Sequence, residues 1–122
     1  MSHLLQTVFD LAPPSPATRR AGWTMVLDSG LGPAASRDLV TTAAGQIDLI
    51  KLAYGSSAFY PEPVLREKLE LFREHGLLVC PGGTLLEAAV QRGRVDALLD
   101  EIDTLGFNAI EVSNGIEGRI DR

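Results

Sequence analysis

The chain reads as an α/β domain in which short apolar strands and amphipathic helices alternate as βαβαβαβ. Three observations carry this reading. Largely apolar runs of strand length recur, among them Trp23 to Asp28, Ile47 to Leu52 and Leu77 to Cys80. Each runs into a Gly- or Ser-bearing turn, and segments with helical spacing of apolar residues lie between them. Such alternation implies parallel strands with right-handed crossovers. Two architectures fit: an open doubly wound sheet, or part of a (β/α)8 barrel. In both, ligands gather at the carboxyl ends of the strands.

Residues 1–22 contain Pro13-Pro14-Ser15-Pro16, which forbids regular structure there, and read as an arm or linker. Residues 23–122 read as the domain. Trp23 to Asp28 is the first strand, expected to be buried, and Ser29-Gly30-Leu31-Gly32-Pro33 is a Gly-rich loop. Ser36 to Gly45 is a helix with Leu39, Val40, Ala43 and Ala44 on one face. Ile47 to Leu52 is the second strand, ending in the loop Tyr54-Gly55-Ser56-Ser57. Pro63 to His75 is the second helix, its stripe made by Val64, Leu65, Leu69 and Phe72, and Gly76 suits its left-handed stop. Leu77 to Cys80 is the third strand. Thr84 to Leu105 is helical with a candidate break at Gly93, and Asn108 to Ser113 is the fourth strand before the turn Asn114-Gly115.

The composition narrows the function classes. At 122 residues the chain makes one domain, and 45% hydrophobic with 22% charged residues makes it globular. The formal charge is −5 and no basic run exceeds Arg19-Arg20, which speaks against a nucleic-acid partner. No apolar run reaches the roughly 20 residues of a membrane span. A single cysteine and no leader-like start make a cytoplasmic location the default. His3 and His75 read as solvated, and Cys80 as packing.

Four polar or Gly-rich clusters fall at the strand ends. They are Asp28-Ser29-Gly30, Lys51 with Gly55-Ser56-Ser57, Pro81-Gly82-Gly83-Thr84, and Glu111 with Ser113-Asn114-Gly115. Lys51 interrupts an apolar strand, which is rare without a partner or a task. Facing a barrel interior, it would neutralise an anion or act as acid or base. The plainer alternative is a lysine that snorkels to water. Thr84 with Glu87 matches an S/T-x-x-E capping box, and free backbone N–H groups at Gly82-Gly83 suit an anion. Asp28, Glu87 and Glu111 are hard oxygen donors of the sort that suit Mg2+.

Taken together, Lys51 with Gly55-Ser56-Ser57, Pro81-Gly82-Gly83-Thr84-Leu85-Leu86-Glu87 and Ile110-Glu111-Val112-Ser113-Asn114-Gly115 resemble the phosphosulfolactate synthase family. Gly22-Trp23-Thr24 and Asp28-Ser29-Gly30 resemble its first-strand region. The resemblance runs from about Arg19 to Arg122. It implies half of a (β/α)8 TIM-type barrel, from a family whose chains are longer. It also implies a lyase that adds sulfite to phosphoenolpyruvate with Mg2+, the chemistry of coenzyme M biosynthesis. Carried onto this sequence, Lys51 and Glu111 become catalytic. Gly55, Ser56, Gly82, Gly83, Thr84, Ser113 and Asn114 become substrate-binding, and Asp28 and Glu87 metal-binding. Three motifs depart from the family pattern. Ser29-Gly30 stands where the family usually has Lys-Gly, Ala53-Tyr54-Gly55-Ser56-Ser57 where it has Gly-Trp-Gly-Thr-Ser, and Ser113-Asn114-Gly115 where it has Ser-Asp-Gly. The alternative reading is a non-catalytic half-barrel that binds a small phosphorylated anion or only pairs with itself. A half-barrel would expose two sheet edges and its inner face, so a homodimer or higher homo-oligomer is expected. If the chain stayed monomeric, Leu4, Leu5, Val8 and Phe9 of the arm would cover that face.

Overall fold

The computed structural model describes residues 4–10 and 22–115. Helix α1 (Leu4–Phe9) leads into strand β1 (Met25–Asp28), helix α2 (Pro33–Ala43), strand β2 (Leu49–Leu52) and helix α3 (Glu62–Glu74). Strand β3 (Leu78–Cys80), helix α4 (Gly83–Gln91) and helix α5 (Val95–Leu105) follow. Among the described residues the sheet has three parallel strands in the order β1-β2-β3. This is the α/β alternation expected of part of a barrel, without a closed barrel. The expected break in the long helix is real: Gly93 takes φ 62° between α4 and α5.

Register assigns each side chain to a face. Val26, Ile50 and Val79 align across the strands, as do Leu27, Lys51 and Cys80. The first row, with Leu52, packs on Val40 of α2 and on Leu65, Leu69 and Phe72 of α3. Ile102 of α5 and Phe107 close the same core. The second row faces away from α2 and α3. At β1 it is open to solvent, with Met25 46% and Leu27 53% exposed. The first strand is therefore buried on one face only, not throughout. A strand that packs on helices from one side leaves its alternate residues uncovered unless further structure closes over them.

Several boundaries differ from the sequence reading. Helix α2 starts at Pro33, a favoured first-turn position, and ends before Gly45, which lies in a 3-10 turn. The loop after β2 is a 3-10 segment, Ala53–Phe59, kinked at Tyr54 and Gly55. The arm region holds the helix α1, with Leu4, Val8 and Phe9 exposed, so these three do not cover the sheet. The Pro13–Pro16 stretch lies outside the described residues.

The fourth strand does not form. Residues 108–113 form no strand ladder, and the bonds to β3 come from Asn108 and Ala109. The cause is Asn108, whose side chain takes the place of a neighbouring backbone. Its Oδ1 accepts the Val79 N–H at 2.7 Å and its Nδ2 donates to the Leu77 carbonyl at 3.1 Å. The Asn108 and Ala109 amides both turn to the Val79 carbonyl, and no further ladder bond follows among the described residues.

Candidate functional site

Beyond Ala109 the chain is held by side chains instead of a ladder. Lys51 ends its strand facing away from α2 and α3, and its Nζ lies 2.7 Å from Glu111 Oε1. The same oxygen accepts the Gly83 N–H, at the first turn of α4, at 3.2 Å. Lysine, carboxylate and helix N-terminus thus converge at the carboxyl ends of β2 and β3. Both side chains of the ion pair are partly buried, 21% and 28% exposed, so their attraction is less screened than at an open surface.

One turn further along α4, Glu87 is buried. Its Oε1 accepts the Ser113 hydroxyl and, at 2.8 Å, the Gly115 N–H. Gly82 takes φ 78° where the chain turns into α4. A Cβ at Gly83 would overlap the Ser113 side chain, so only glycine lets the 111–115 segment lie across this turn.

Two expectations need correction here. Thr84 is not the helix cap: Gly82 holds that position, with no side-chain cap bond, and the helix begins at Gly83. Glu87 therefore closes no capping box with Thr84. The chain reaches the helix through a left-handed glycine, so the first backbone donor meets a carboxylate from residue 111 instead of a local hydroxyl.

Asp28 occupies different surroundings. Strand alternation turns it to the face opposite Lys51. It is fully buried, with Oδ2 2.6 Å from Lys68 Nζ, itself fully buried. Oδ1 accepts the N–H groups of Gly30 at 3.0 Å and Leu31 at 2.8 Å. Lys68 also donates to the Leu31 carbonyl and to Tyr60 Oη, and its ammonium lies 4.2 Å from the centre of the Tyr60 ring. Sequence reasoning missed Lys68. Its signal was position: it falls in the α3 stripe between Leu65 and Leu69.

Among the described residues, no three His, Cys, Asp or Glu side chains group as metal ligands. Asp28 is committed to Lys68 and Glu111 to Lys51. By themselves these residues do not fit a Mg2+ ion. The remaining expected residues stay near the rim. Gly55 and Ser57 of the 3-10 segment are buried, and the Ser56 and Ser57 hydroxyls have no hydrogen-bond partner among the described residues. Thr84 and Ser113 are half-buried and Asn114 is exposed. Cys80 is buried in register with Lys51. Burial pushes its thiol pKa up, a Gly82 backbone hydrogen bond lowers it, and nearby Glu111 and Lys51 act in opposite directions. A separate apolar cleft of about 320 Å3 lies between α3, α4 and α5, lined by Leu85, Leu98 and Phe107, and neither Lys51 nor Glu111 borders it.

No helix among the described residues is long and apolar enough to cross a membrane. Comparison with known proteins gives a consistent answer. The family model for (2R)-phospho-3-sulfolactate synthase (ComA) matches residues 13–119. Phosphosulfolactate synthase of Methanocaldococcus jannaschii is 40% identical over 94 residues, covering 77% of this chain and 38% of that protein. That of Methanothermobacter thermautotrophicus is 39% identical over 106 residues, covering 86% of this chain and 41% of the relative. The Bacillus subtilis phosphosulfolactate synthase is 30% identical over 97 residues, 80% of this chain and 38% of its own. The chain thus spans about two-fifths of the length of these relatives. With a match over most of its residues, this chain belongs to the (2R)-phospho-3-sulfolactate synthase family.

Proposed function

We propose that this chain carries part of the active site of a lyase that joins sulfite to phosphoenolpyruvate. The observation that carries the reading is the convergence of Lys51, Glu111 and the Gly83 N–H at the strand ends of a chain matched to this family. In the proposed reaction the sulfite lone pair forms a C–S bond at the methylene carbon of phosphoenolpyruvate. The C=C electron pair moves toward the carboxylate, and a proton then adds at the neighbouring carbon to give phosphosulfolactate. Lys51 would stabilise the charge that develops on the carboxylate, since a fixed cation acts most strongly where water is excluded. Its ammonium would also supply the proton, with Glu111, 2.7 Å away, as its partner. The Gly82-Gly83-Thr84 turn would orient an anionic group, and Gly55, Ser56, Ser113 and Asn114 would border it.

The resemblance implies Mg2+, and this dependence is part of the proposal. No step is assigned to the ion here, because the described carboxylates already have protein partners. Calorimetry with phosphoenolpyruvate, with and without Mg2+, followed by a sulfite-addition assay, tests the reading. Heat of binding and a sulfite-dependent product support it. Binding without turnover supports the second reading, an anion-binding or self-associating module. The exposed Met25 and Leu27 on the uncovered sheet face favour that second reading.

A further inference from the structure

We propose that Glu87 is a positioning residue that sets the Lys51–Glu111 pair by anchoring the 111–115 segment. The functional consequence rests on the reading above; the anchoring itself does not. Residues 110–113 have no ladder to hold them. What fixes them is a pair of carboxylate acceptors, one in the segment itself and one in α4. Glu111 accepts from Gly83 at the start of α4, and Glu87, one turn later, accepts from Ser113 and Gly115. Residues four apart on a helix share a face, so Gly83 and Glu87 present one continuous seat. Glu111 lies between Asn108, tied to β3, and Ser113, tied to Glu87. Its reach to Lys51 is set by those two anchors. Glu87 is only 3% exposed, and its bonds to Ser113 and to the Gly115 amide hold the backbone that carries Glu111.

This task differs from metal binding, and chemistry separates the two. Anchoring needs an acceptor oxygen, which glutamine supplies as well as glutamate. Holding a divalent cation needs the charge. The experiment is amide hydrogen exchange by NMR on the full chain, read at Gly83 and Gly115. The Gly83 N–H is informative because its acceptor is Glu111, not Glu87. Glu87→Ala should speed exchange at both amides by roughly tenfold, as expected when hydrogen bonds to a charged group are lost and the segment opens. Glu87→Gln should stay within about twofold of the parent, since the acceptor remains. If Glu87→Ala does not fold, Ser113→Ala removes one anchor alone and should still speed exchange at Gly83. Unchanged Gly83 exchange in the folded Ala variants overturns the proposal. So does a Glu87→Gln variant as loose as Glu87→Ala. A Mg2+ titration that shifts the Gly115 resonance in the parent but not in Glu87→Gln also overturns it, by showing that the carboxylate holds the cation.

Discussion

Lys68 and Asp28 form a fully buried ion pair, 2.6 Å between Nζ and Oδ2, that ties the middle of α3 to the end of β1. Both charges are also hydrogen-bonded, Lys68 to Leu31 and Tyr60 and Asp28 to two loop amides. Removing one partner leaves an uncompensated charge in the core. Lys68→Ala or Asp28→Ala should therefore cost about 3–5 kcal/mol, whereas an apolar pair of matching volume can be nearly neutral. Urea denaturation of the single variants and of an Asp28→Leu, Lys68→Met double variant checks this. Single variants that lose under about 1 kcal/mol would show that the pair is not held in the native core.

Much of this architecture was legible in the chain. The order of elements followed from hydrophobic period and turn residues, and the stripe Leu65, Leu69, Phe72 found the core. The facing of Asp28 was not legible as a site. Its neighbour Leu27 aligns with Lys51, which places Asp28 on the other side of the sheet, but that register is a tertiary fact. Residues 108–113 misled because their β-like composition says nothing of Asn108, whose amide imitates a paired strand. The Thr84 box misled for a similar reason. Spacing cannot reveal that a carboxylate 28 positions along the chain reaches the helix first.

The seat at Gly83 gives a steric prediction. Gly83→Ala places a methyl group on Ser113, and overpacking of this kind typically costs 1–3 kcal/mol. Ser113→Gly removes the obstructing side chain. The double variant should recover part of the loss, a coupling of at least about 0.5 kcal/mol in a double-mutant cycle of thermal or urea melts. Strict additivity would mean that the segment does not lie on α4.

Lys51 and Glu111 should separate binding from turnover. Lys51→Ala removes the cation that faces an incoming anion and should abolish phosphoenolpyruvate binding with the fold retained. Glu111→Gln removes a competing negative charge but keeps an acceptor for Lys51. It should bind the anion at least as tightly as the parent while losing any sulfite-addition activity. Calorimetry and circular dichroism together give the answer. A Lys51→Ala protein that binds as well as the parent removes Lys51 from the site.

Cys80 offers a pH test. Desolvation by burial raises its pKa above the ordinary 9.0. The unfolded chain then releases this proton at lower pH than the folded one does. The stabilisation is present below the unfolded pKa and is lost as pH rises through the folded value. Urea midpoints should fall between about pH 8 and pH 10, the range around a free thiol's pKa. The fall should be smaller in Cys80→Ala. Equal falls in both proteins would assign the loss to other groups.

The uncovered sheet face leads to the last prediction. Leu27, Lys51 and Cys80 form one row across the strands, with Met25 in the next row on the same side. At Lys51 and Cys80 the row is shielded, but Met25 and Leu27 are about half exposed, beside an edge strand with no partner on its outer side among the described residues. An open edge next to apolar side chains invites pairing with another chain. Helix α1 does not remove the need, because Leu4, Val8 and Phe9 point to solvent. Twofold pairing through β1 would satisfy its free backbone groups and bury Met25 and Leu27 in one step, and closed twofold assemblies are the commonest. Light scattering over a wide concentration range should return a dimer mass. Leu27→Asp places a charge on the shared face and should shift the protein to monomer while leaving the helix-side core, and hence the circular dichroism, unchanged. A parent protein that stays monomeric at every concentration ends the self-association reading.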